Sequence, residues 1–248
     1  MTKYVSRHPI IFSVLVVFAA LIVVNLLGVI FTYLKLPELT SRLIVEIVFF
    51  GYVIFLLTYL RWWNEAGFIL PTIRRNLLPL LPFLILPMLV LITSGIKAAS
   101  ANLVIWFTIY TFIVGFVEEG LMRGVVLHAL LPIGVMRAVV LSSLFFGLGH
   151  LLNILQGASP SATIVQIIYS ILLGIGFAGA RLYSGSIWPA IVIHFLIDFV
   201  DVAGRGFVLA PPQVLTPSGV IVTLVLTGLF AAYGWWLLRR SKINNLVT

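Results

Sequence analysis

Charge is what this sequence has least of. Only 9% of its 248 residues are Asp, Glu, Lys or Arg, and just seven are acidic. A soluble domain carries about 25% charged residues, so a water-facing globular fold is excluded. Cysteine is absent, which excludes disulfides, thiolate metal sites and cysteine nucleophiles. No internal repeat or low-complexity tract is present, and no polar block is long enough for a separate soluble domain. One integral membrane domain over residues 1–248 is what remains.

Apolar sequence fills the chain instead, at 62% hydrophobic residues and a mean hydropathy of +1.21. A helix needs about 20 apolar residues to cross the hydrocarbon core. That length divides the chain into about eight spans, near 9–34, 43–61, 77–95, 102–122, 137–153, 162–182, 187–203 and 218–238. The expected fold class is therefore all-α, a polytopic bundle. The first run is too long for a signal-peptide core and reads as a retained anchor.

The net charge of +8 is scattered between apolar segments, which argues against nucleic acid as a partner. The basic residues read as topology signals and as contacts with anionic lipid head groups. Placing both termini inside puts Lys3, Arg7, Arg61, Arg74, Arg75, Arg137, Arg181, Arg239, Arg240 and Lys242 on the inner flanks. Only Lys35, Arg42, Lys97 and Arg205 fall on the outer ones. The positive-inside rule then predicts a multi-pass protein of the cell membrane with N- and C-termini cytoplasmic. The inner connection RWWNEAGFILPTIRRN (61–76) suits a short interfacial helix or a plain aromatic and basic anchor. GIGFAG (174–179) has dinucleotide-loop spacing, but it lies inside an apolar helix. Close helix packing through small residues is the sensible account.

Against this background six polar residues stand out inside the spans: Glu118, Glu119, Arg123, His150, His194 and Asp198. A central Asp or Arg costs roughly 2.5–3.5 kcal/mol on insertion scales. Such residues persist when they pair, face the bundle interior or line a wet cavity. Glu119 and Arg123 are i and i+4, on one face and in the favourable order for an ion pair. Glu118 is about 100° round the helix and free to point elsewhere. His194 and Asp198 repeat the i,i+4 spacing, which suits a hydrogen bond fixing the imidazole tautomer. Asp201, one turn further, is a weaker candidate. His8 and His128, without such partners, read as structural or surface residues.

A carboxylate and two histidines in a membrane cavity suit water activation. The glutamate takes a proton from water and hands it to a leaving amine, while His194 or His150 hydrogen-bonds the oxyanion. Glu118, His150 and His194 are also ligand types for a divalent metal such as zinc, although no HExxH is present and Arg123 lies one turn away. For one water to reach all three residues, the short fifth helix has to bring His150 to their depth. The expectation is then a single polar cavity lined by Glu118, His150 and His194.

Three motifs, EEGLMR (118–123), FGLGH (146–150) and HFLID (194–198), resemble the signatures of the CAAX protease and bacteriocin-processing family, also called the Abi family. Its pattern is E-E-x-x-x-R, then F-x-x-x-H, then H-x-x-x-N or D, and RLYSGSIWPAIVIH (181–194) is similar too. The resemblance covers about residues 101–203. It implies an eight-helix intramembrane endopeptidase like the type II prenyl-protein endopeptidase, acting on a peptide or lipidated protein substrate. It further implies that Glu118 and His150 activate water, that His194 with Asp198 stabilises the oxyanion, and that Glu119 and Arg123 set the geometry. Two other readings compete: a non-catalytic immunity or scaffold protein of the same fold, and a proton-coupled carrier. The carrier lacks the paired broken helices and repeated halves often seen in transporters.

Overall fold

A computed structural model describes residues 2–71, 77–97, 100–155, 157–206 and 216–241. Arg74, Arg75 and Lys242, used above as topology signals, lie outside the described residues. Among those described, there is helix and no strand.

After a short helix at Thr2–Arg7, the helices are α1 (Pro9–Tyr33), α2 (Glu38–Leu60), α3 (Ile85–Ser94) and α4 (Ala101–Glu119). They continue with α5 (Val135–Gly149), α6 (Pro160–Ser184), α7 (Trp188–Gly204) and α8 (Pro217–Arg240). The caps follow local chemistry. Proline opens α1, α6 and α8 at a position whose N–H has no helical partner. Ser100 and Thr216 accept from the N–H groups of Leu103 and Gly219. Gly185 ends α6 in the left-handed conformation that its missing Cβ permits, at φ 72°.

Among the described residues a helix occupies each of the eight expected segments, but these eight are not equal. Six are long and apolar enough to cross a membrane. The third segment begins as a seven-residue 3-10 turn, Leu78–Leu84, before the ten residues of α3. Pro79, Pro82 and Pro87 remove the N–H donors that a continuous α register needs. The seventh, α7, has 17 residues, about 25 Å at 1.5 Å per residue, short of a core of about 30 Å. It lies against α4, α3 and α6. The chain is a multi-pass membrane protein in which this short helix is held inside the bundle.

The described part of the 61–76 connection is not an interfacial helix. Residues 61–71 form turns folded into the end of the bundle. Trp62 is buried between the rings of Phe12 and His128, which gives His128 its structural role. Arg181 donates from Nε to the Ala66 carbonyl at 3.0 Å and from Nη2 to the Glu65 carbonyl at 2.8 Å. The Ile187 N–H reaches the Gly67 carbonyl at 2.8 Å. Arg181, read above as an interfacial charge, is a buried staple between this connection and α6.

The GIGFAG stretch packs as expected from small residues. A Cβ on Gly179 would lie 2.3 Å from the Gly234 carbonyl oxygen, so α6 and α8 touch backbone to backbone. No side chain larger than hydrogen fits there.

Candidate active site

The site is built where α4 meets α7. A Cβ on Gly115 would sit 3.1 Å from the Ile191 carbonyl oxygen and 3.2 Å from the Phe195 nitrogen. This close approach carries the end of α4, with its two glutamates, against His194 one turn along α7. Just beyond Glu119 the helix widens into a π-helical turn, Gly120–Val126. Such turns are costly in a regular helix and recur at functional sites.

Glu119 and Arg123 have no exposed side-chain surface, and Arg123 Nη1 lies 3.2 Å from Glu119 Oε1. The guanidinium carbon stands 4.3 Å from the centre of the Phe146 ring and 5.4 Å from that of Phe177. None of its nitrogens makes a directional hydrogen bond among the described residues. Charge contact and ring faces therefore hold this cation, rather than a bidentate fork. Gly174 makes room for it, since a Cβ there would lie 2.8 Å from Arg123 Nη2.

His194 is buried at the centre of the remaining contacts. Its Nδ1 lies 2.9 Å from Glu119 Oε1, the oxygen that also faces Arg123. A carboxylate only accepts, so Nδ1 carries the hydrogen. The other ring nitrogen, Nε2, lies 3.6 Å from Glu118 Oε2 and 3.5 Å from Asp198 Oδ2. The Phe177 ring stacks on the imidazole at 5.1 Å. Arg123, Glu119, His194 and Glu118 thus form one chain of charged and polar groups across two helices.

This geometry corrects one assignment made from spacing. Asp198, four residues on, was expected to fix the tautomer of His194. The partner at hydrogen-bond distance is Glu119, on a different helix, and Asp198 faces the working nitrogen instead. The i,i+4 rule brings Asp198 near the ring, but the rotation of α7 against α4 chooses which nitrogen it meets. Asp201 turns away to an ion pair with Arg205. His8 is the N-cap residue of α1.

His150 begins the 3-10 turn His150–Ile154 that finishes α5. It makes no ion pair with the carboxylates among the described residues. The Phe146 ring lies between the two histidines, 5.4 Å from His150 and 6.0 Å from His194. Gln166 Nε2 lies 3.3 Å from His150 Nδ1, and Asn153 Nδ2 donates to Gln166 Oε1 at 2.9 Å. In that arrangement the Gln166 amide donates to Nδ1, and the neutral ring carries its hydrogen on Nε2.

Gln166 and Asn153 escaped the sequence reading because neutral amides near helix ends carry no distinguishing pattern. Glu46 escaped it too, although the signal was there: a carboxylate inside the apolar run of α2. Its Oε2 is buried without a hydrogen-bond partner among the described residues, and it interacts electrostatically with Glu118 and Asp198.

The donor set does not fit a metal centre. No group of three or more His, Asp or Glu side chains among the described residues is arranged so that it could hold a metal ion. Glu118, His150 and His194 are therefore not assigned as metal ligands.

Residues 100–200 match the family model for type II CAAX prenyl endopeptidase Rce1-like proteins. The segment is Rce1-like. It runs from the start of α4 into α7 and contains all six polar residues singled out from the sequence. No curated protein and no solved structure matches the chain. The Rce1-like match supports a CAAX-type protease embedded in a membrane. Helices α1 to α3 and α8 lie outside the matched segment and pack around it.

Proposed function

We propose that this protein is an intramembrane endopeptidase that hydrolyses a peptide bond of a membrane-associated substrate by direct attack of water. The observation that carries this reading is the buried chain Arg123–Glu119–His194, which ends with His194 Nε2 3.6 Å from Glu118. Glu118 is the member of the glutamate pair without a hydrogen bond at close range, and its side chain keeps 27% exposure. It is the general base. It takes a proton from water as the oxygen adds to the scissile carbonyl carbon. It then returns that proton to the leaving nitrogen as the C–N bond breaks.

His194 is the electrophile. With Nδ1–H held by Glu119, its Nε2 is the ring nitrogen left for the substrate, and an imidazolium there donates to the oxyanion. Asp198 lies beside the same nitrogen, 3.5 Å away. Arg123 holds Glu119 in place, so these two are positioning residues. His150, with Nδ1 accepting from Gln166, keeps Nε2–H as a second donor for the substrate. The substrate is a peptide or lipidated protein whose chain reaches the site from the bilayer, with a prenylated CAAX tail or a leader peptide as the classes in view. Both termini face the cytoplasm.

The test uses purified protein with fluorogenic peptides, prenylated and unprenylated, beside Glu118→Gln and His194→Ala. Cleavage by the wild type and a loss of about 10²-fold or more in both variants is the expected result. Wild-type levels of cleavage in Glu118→Gln would remove the base and with it the reading.

A further inference from the structure

Two apolar cavities lie between α1 and α5, and none of the six candidate site residues lines either one. One, of about 510 Å³, is lined by Ile10, Ile133, Met136, Arg137, Val140 and Leu141. The second, of about 150 Å³, is lined on α1 by Val14, Val17, Phe18 and Leu21, and on α5 by Phe145, Leu148 and Gly149. Both use the same two helices, and their residues follow one another along each: 10, 14, 17, 18 and 21 on one face of α1, and 136 to 149 on α5. The two follow one another along the same pair of helices, as parts of one groove would.

Its dimensions point to an occupant. Ile10 to Leu21 is eleven residue steps, about 16 Å along a helix. That is roughly half of a hydrocarbon core of about 30 Å, the depth that one acyl chain covers in one leaflet. At the far end Leu21 and Gly149 face each other across the second cavity, the Leu21 side chain 3.9 Å from where a Gly149 Cβ would stand. The near end carries the groove's one charged lining residue, Arg137, in the first turn of α5. The free N–H groups of that turn add to its positive potential. No acidic residue lines either cavity. Arg7, exposed three residues before Ile10, lies at the same end of α1.

We infer that the α1–α5 groove is a seat for one anionic phospholipid, with its phosphate on Arg137 and one acyl chain lying along the groove towards Gly149. This inference does not rest on the peptidase reading. The seat is apolar over a chain's length and cationic only where a headgroup would stand. A zwitterionic lipid offers the same chains but a neutral headgroup, so charge at Arg137 is what separates the two.

Native mass spectrometry of the delipidated protein, given equimolar phosphatidylglycerol and phosphatidylcholine with identical chains, tests it. One retained phosphatidylglycerol, favoured about fivefold, is expected from a basic residue near an anionic headgroup. Arg137→Gln abolishes the preference, and Val14→Trp or Val140→Trp reduces retention of both lipids by filling the groove. Arg240→Gln, whose guanidinium stacks on Trp236 on α8, leaves the preference unchanged. Equal retention of the two lipids by the wild type, an undiminished preference in Arg137→Gln, or an equal loss in Arg240→Gln each overturns the proposal.

Discussion

Removing either partner of the Glu119–Arg123 pair should unfold this protein far more readily than removing Glu118. Both partners are fully buried and 3.2 Å apart. Deleting one strands the other charge in the bundle, a loss of about 3–5 kcal/mol. For a protein of this size each kcal/mol shifts the melting temperature by about 2–4 °C, so Arg123→Ala is expected to melt some 6–20 °C lower. Glu119→Ala is expected to do at least as badly, because the same oxygen also receives Nδ1–H of His194. Glu118→Gln differs. Its nearest charged neighbour among the described residues is 3.6 Å away and its side chain is partly exposed, so a smaller loss is expected than for either member of the buried pair. The double variant Glu119→Gln/Arg123→Met separates charge from shape. Replacing both members of a buried pair is often close to neutral, so it should recover most of the lost stability while remaining inactive. The assay is thermal unfolding in detergent, followed by size-exclusion chromatography. Equal melting shifts in Arg123→Ala and Glu118→Gln would refute the division of the two glutamates into a structural and a reactive one.

Gly115→Val is expected to force α4 and α7 apart, since even a Cβ meets backbone at 3.1 Å. It should lose activity with Glu118 and His194 intact, and a variant that cleaves at the wild-type rate would refute the requirement for close approach. Gln166→Leu removes the donor to His150 Nδ1. It should lower kcat by roughly 10-fold or more, with KM little changed, as expected when a positioned donor to the developing oxyanion loses its orientation. A change in KM alone would place His150 in binding instead. A cysteine replacing exposed Glu65 should resist an impermeant thiol reagent in intact cells and react after permeabilisation, because the bias in Lys and Arg puts that connection inside. The chain has no native cysteine to confuse the result.

The membrane, the all-α class and the segments of all eight helices followed from composition and run length, because burial of apolar length in a bilayer is a one-dimensional property. The pairing of Glu119 with Arg123 was legible for a similar reason: i,i+4 contacts are fixed within one helix, whatever surrounds it. The motifs also marked which residues to examine, and the family match covers the same stretch. What sequence could not supply is how the helices rotate and press against one another. That rotation gave His194 Nδ1 to Glu119 rather than to Asp198, and it set Gln166 behind His150. It also drew Glu46 within electrostatic reach of the site from a helix with no motif, and turned Arg181 from an interfacial charge into a staple. Each of these contacts joins residues distant in the chain through backbones that touch only where glycine or a short loop allows. Periodicity along one helix carries no information about the azimuth of the next, and tertiary packing alone decided it.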